Sequence, residues 1–169
     1  MTTQSGIFRR IGLISLVAAM IFVTSCSGSK TKEDEGGVPT APSADDNLTL
    51  GDSDSGKAMG LQTVHFPFDS FKLDHEQKGV LKANADILKD KPNLKVQIEG
   101  HCDAKGGIQY NIALGEKRAN ATKKYVEDLG IAEDRITVIS FGKEKPVDSG
   151  MTEEAYAKNR RANFVITSH

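Results

Sequence analysis

Apolar and polar residues alternate most clearly at Val96-Gln97-Ile98-Glu99, the period of a half-buried strand. Gly106-Gly107 then breaks any regular element. Ile112, Ala119, Val126 and Leu129 recur at helical spacing and predict a helix over about 108–129, with Gly130 just past its end as a stop. Upstream, Gln62 to Phe68 is rich in strand formers, and Pro67, which lacks an N–H, places that strand at an edge or a bulge. Asp74 reads as an N-cap with Gln77 at the third helical position of a capping box. Val80, Leu81, Asn84, Ile87 and Leu88 continue that helix as one stripe, which ends before Pro92. Leu94–Glu99 is the second strand and Ile136–Phe141 the third. Thr152 caps a short helical turn to Lys158, and Asn163–Thr167 is the last strand. The order βαβαβ plus a final strand predicts an α/β (α+β) two-layer sandwich with a mixed sheet over residues 61–169.

The first 60 residues follow a different pattern. Arg9 and Arg10 precede an almost wholly apolar run of 13 residues, Ile11–Val23. That is short of the roughly 20 a membrane-spanning helix needs, and a basic start before a short apolar core predicts a secretory signal over residues 1–25. Val23-Thr24-Ser25-Cys26 resembles the lipobox of bacterial lipoproteins. The resemblance implies cleavage before Cys26 and acyl chains on it, and Ser27 rather than aspartate after it implies sorting to the outer membrane. Two or more chains give stable anchoring, at about 0.8 kcal/mol per buried CH₂. Residues 26–60 are rich in Ser, Gly, Asp, Glu and Thr and poor in large apolar side chains, which predicts a disordered linker. As a coil it would span roughly 30–35 Å, and stretched on the order of 110 Å.

Composition narrows the function. A net charge of −1 gives no electrostatic case for nucleic acid. Of the two cysteines, a lipidated Cys26 cannot pair with Cys102, which leaves a lone thiol. His101, Cys102 and Asp103 are consecutive, but on a strand the cysteine points away from the other two, so a Cys–His nucleophile pair is disfavoured. One usable cysteine and scattered histidines (His65, His75, His101, His169) do not make a metal site. No enzyme activity and no cofactor are expected.

A binding site is better supported. Asp103 leaves the strand, and Asn111, Leu114 and Arg118 share one helix face at i, i+3 and i+7. A fixed carboxylate and a fixed guanidinium at one pocket mouth suit a zwitterion: Asp103 for its ammonium, Arg118 for its carboxylate. A structural salt bridge between the two is the alternative.

The run G-H-C-D-x-x-G-x-x-x-Y-N-x-x-L-G-x-x-R-A, Gly100 to Ala119, resembles the peptidoglycan-binding motif of the OmpA-like C-terminal domain family. The resemblance spans about Thr63 to Ile166 and points to the family's lipoprotein branch in the Tol–Pal system. It implies that Asp103 and Arg118 grip the diaminopimelate of the peptidoglycan stem peptide. It further implies that Ala104, Gly106, Asn111 and Leu114 line the site, that Phe68, Asp69 and Ser70 wall it, and that the last strand is central and antiparallel. Relatives often carry Thr or Ser where this chain has Gly107, so a hydroxyl contact there is missing. The implied protein is an outer-membrane lipoprotein tying the membrane to the cell wall, with TolB, TolA and other OmpA-like proteins as partners. The alternative is a wall anchor of another envelope machine, a secretion or motility apparatus.

Overall fold

The computed structural model describes residues 50–169. The predicted signal (1–25), Cys26 and the linker up to residue 49 lie outside the described residues. Four strands and three helices follow in the order β1 (Val64–His65), α1 (His75–Asp90), β2 (Lys95–His101), α2 (Ile108–Asp128), β3 (Ile136–Gly142), α3 (Glu153–Asn159) and β4 (Arg161–Ser168). The sheet order is β1-β4-β2-β3. β2 and β3 are parallel, while β4 runs antiparallel to both β1 and β2, so the last strand is central and the sheet mixed.

One face of the sheet makes the core. Val96 and Ile98 of β2 alternate onto the same side as Ala162, Phe164 and Ile166 of β4. They meet Leu81, Ala85 and Leu88 of α1 and Ala119 and Val126 of α2. Each large apolar side chain fully buried here contributes about 1.5–3 kcal/mol. Asp74 caps α1 as expected, its Oδ1 accepting from Gln77 N at 2.8 Å. The Gln77 side chain does not close a capping box, because its Oε1 instead accepts from His65 N at 2.8 Å. Asn84 similarly bonds both backbone groups of Gln62 at 2.8 Å. Two polar residues of α1 thus serve the backbone along the β1 edge, which is why β1 has two residues rather than the predicted seven.

The domain does not begin at residue 61. Asp52 bridges Val165 of β4 in antiparallel sense. Ile166 N donates to Gly51 O at 2.8 Å and Ser53 N to Phe164 O at 2.9 Å. Ala58 is fully buried in the core and Leu61 nearly so. Residues 50–60, expected as disordered linker from their composition, form a strap along the half of β4 that β1 leaves uncovered. Hydrogen bonding to an open sheet edge, not apolar content, holds most of it.

Candidate functional site

α2 reaches the end of β2 because two glycines face each other. A Cβ on Gly100 would lie 1.9 Å from Gly115 O, and one on Gly115 would lie 2.3 Å from Ser140 Oγ. With neither present, the helix backbone lies directly on β2 and β3. The buried face of α2 is Asn111, Leu114, Gly115, Arg118, Ala119, Thr122 and Val126. The predicted stripe of Ile112, Ala119, Val126 and Leu129 is therefore rotated, since Ile112 and Leu129 are only half-buried. The rotation carries Arg118 onto the sheet.

Arg118 is 0 % exposed. Its Nε donates to Ser70 O at 2.8 Å, Nη1 to His101 O at 2.8 Å and Nη2 to Pro67 O at 3.2 Å. The guanidinium also sits 5.3 Å from the Phe66 ring centre. A guanidinium has five N–H donors, so three neutral carbonyls leave donors over, and no carboxylate pairs with it among the described residues. Burial pushes its pKa down, yet arginine stays charged in proteins. The site therefore holds a desolvated cation whose anion is not supplied by the described residues.

Asp103 follows β2 and is 5 % exposed. It does not pair with Arg118. Its Oδ2 accepts from Arg160 Nη1 at 3.2 Å, and its Oδ1 from Lys105 N at 3.0 Å. Arg160 also donates to Phe66 O at 3.2 Å and reaches Glu153 Oε1 at 2.8 Å. The turn between β2 and α2 is closed by Asn111, whose Nδ2 donates to Lys105 O at 2.7 Å and to Gly107 O at 3.1 Å. Gly106 takes φ +86°, the left-handed region that favours glycine. Gly107 is the N-cap of α2 and offers no side-chain cap. A Thr or Ser at that position would supply one, so the missing hydroxyl is first of all a missing cap.

These elements enclose a cavity of about 180 Å³, lined by Phe68, Asp69, Cys102, Asp103, Lys105, Gly106, Tyr110, Asn111, Leu114 and Arg118. Seven of the nine residues expected at the site line it. Ser70 contributes its carbonyl to Arg118 rather than a wall, and Ala104 is exposed on the turn outside the lining. Lys105 and Tyr110 were not expected, and Cys102, expected as a lone thiol beside the pocket, lines it. Tyr110 Oη donates to Asp69 Oδ1 across the mouth, and that carboxylate holds the tyrosine pKa above its usual value. The Cys102 Sγ donates to Asn111 O at 3.3 Å, and burial raises its pKa, so it is a thiol rather than a nucleophilic thiolate. His101 turns to the opposite sheet face, where Nε2 meets Glu99 Oε2 at 3.4 Å and not the cysteine. Among the described residues no group of three or more His, Cys, Asp or Glu side chains is placed to hold a metal.

A sequence model of the OmpA family matches residues 65–160. The peptidoglycan-associated lipoprotein of Pasteurella multocida is 34% identical over 154 residues, covering 91% of this chain and 97% of that one. The chain belongs to the OmpA family, among its peptidoglycan-associated lipoproteins. A second member, from Haemophilus influenzae, is 43% identical over 100 residues, 59% of this chain and 65% of that one. The crystal structure of the peptidoglycan-associated lipoprotein from Burkholderia pseudomallei superposes with a TM-score of 0.60 at 38% identity, over 62% of this chain and 88% of that one. The α/β sandwich with its mixed sheet is thus the fold of this family.

Proposed function

We propose that this protein is an outer-membrane lipoprotein, acylated at Cys26 after removal of residues 1–25, whose domain binds peptidoglycan without a covalent bond. The observation that carries the reading is the buried Arg118 guanidinium at the cavity floor, held by neutral carbonyls and paired with no carboxylate among the described residues. Diaminopimelate in the stem peptide would supply one: its side-chain carboxylate meets Arg118, and its ammonium lies toward Asp103 and Asp69 at the mouth. The names of the relatives support the wall as target. In this reading the domain is a binding module of the Tol–Pal system and not an enzyme. TolB, TolA and other OmpA-like proteins are its protein partners, as the resemblance implies. Many weak wall contacts from copies sharing one membrane add up to firm attachment.

Co-sedimentation with purified sacculi tests it. Asp103→Ala and Arg118→Ala should each weaken binding by about 2–5 kcal/mol, because the ligand's opposite charge is left desolvated and unpaired. Thermal unfolding of each variant checks that the domain still folds. Folded variants that both pellet with sacculi as the wild type does would overturn the reading.

A further inference from the structure

A cavity of about 180 Å³ is small. Drug-sized ligands occupy pockets of roughly 300–1,000 Å³, so this one admits the side chain of a single amino acid. The rest of the polymer must cross the rim. Phe68 and Tyr110 there are 59 % and 55 % exposed, and the cation among them is Lys105. Its Nζ lies 5.1 Å from the Phe68 ring centre and 4.7 Å from that of Tyr156. Two aromatic faces hold the ammonium at the mouth.

Its charged partner there is weakly bound. Lys105 Nζ meets Glu153 at 3.2 Å, but both side chains are exposed, and such pairs contribute little. Glu153 also has Arg160 at 2.8 Å, the closer of its two cations. At the rim Lys105 and Lys143 face Asp69 and Glu153, and Glu153 is shared with Arg160, whose other carboxylate is Asp103. Among the described residues Lys105 thus has no carboxylate to itself and is open to an anion from the ligand. A stem peptide offers one beside diaminopimelate: the α-carboxylate of the γ-linked glutamate before it, or the terminal carboxylate of the residue after it.

We propose that Lys105 is the specificity residue at the mouth, receiving a carboxylate of the stem-peptide residue that flanks the one held in the cavity. The proposal rests on the cavity being the diaminopimelate site. Flanking residues whose carboxylate is amidated are then disfavoured. Such charge recognition at an exposed rim weakens with salt.

Calorimetric titration of the full-length chain in detergent, with synthetic stem peptides, tests this. One peptide is acidic throughout, a second carries isoglutamine before diaminopimelate, and a third is amidated at its C-terminus. The wild type should bind one of the amidated peptides about two- to fivefold more weakly than the acidic one at low salt, and which one identifies the carboxylate. Lys105→Gln should bind the acidic peptide as weakly as that amidated one, Lys105→Arg should keep the preference, and about 0.5 M salt should erase it. Equal binding of all three peptides by the wild type, or a preference that survives Lys105→Gln, overturns the proposal while leaving the cavity reading intact. Failure of every peptide to bind overturns both.

Discussion

His101 serves two faces of the sheet at once. Its carbonyl holds Arg118, while its ring lies on the other face against Phe141, with centroids 5.6 Å apart, and its Nδ1 is buried without a partner. Burial first, and then Arg161, lower its pKa below 6.5, opposed by Glu99 and Asp54. The unfolded chain therefore takes up a proton at pH values where the folded one resists it. Stability is fully present above about pH 6.5 and falls as the pH drops toward the lower folded pKa. Urea midpoints at pH 7.5 and 5.5 should show this loss in the wild type, and His101→Phe, which keeps the aromatic contact, should have a smaller one. An unchanged pH dependence would assign the loss to other groups. At this scale the sequence was informative about position but not about pairing, since the Asp103–Arg118 salt bridge it left open does not form. The spacing of Asn111, Leu114 and Arg118 puts them on one face whatever else happens. That Asp103 would meet Arg160, 57 residues away, rather than Arg118 depends on how α3 delivers its last turn to the site.

Among the elements, α2 and β2 position the site, and their contact is set by Gly100 and Gly115. Gly115→Ala would drive a methyl to 2.3 Å from Ser140 Oγ and 2.8 Å from Gly100 O. Relief requires α2 to lift from the sheet. Overpacking of this kind costs about 1–3 kcal/mol, and the shift also withdraws Arg118 from Ser70, His101 and Pro67. Gly115→Ala should therefore lower thermal stability and weaken sacculus binding together, whereas the exposed Gly79→Ala, with open space around its Cβ, should do neither. Full binding by a destabilised Gly115→Ala domain would separate the glycine contact from the site. The strand alternation and the helical repeat made both elements legible. The glycine contact was not, because it is a distance between backbones, and a rotation of the apolar stripe by one position decides which residues lie on it. The shortness of β1 was hidden for a similar reason: side chains of α1 occupy its edge.

For the whole molecule, the strap over residues 50–60 changes where the chain is held. It enters beside Ile166, while the cavity lies beyond the other end of β4, past Ala162, where β2 ends. On the proposed anchoring at Cys26 and wall binding at the cavity, tension between the two would run along β4, and the strap's ladder bonds, perpendicular to the strands, would share the load. Strap residues also cannot serve as tether: the reach of residues 27–49 is at most about 80 Å, against on the order of 110 Å for a linker running to residue 60. Asp54 Oδ2 accepts from Arg161 Nε at 2.7 Å, with both side chains largely buried. Deleting the first 60 residues removes the Asp54–Arg161 ion pair together with buried Ala58 and the β4 hydrogen bonds, losses of about 1 kcal/mol each. Deleting the first 49 keeps all of these contacts. Urea unfolding of the two truncations should therefore differ by at least about 2 kcal/mol. Asp54→Asn, which loses the charge but keeps an acceptor, should fall between them. If the two truncations unfold at the same denaturant concentration, the strap is a passenger on the sheet edge. In that case tension from the proposed anchor would enter the domain first at β1.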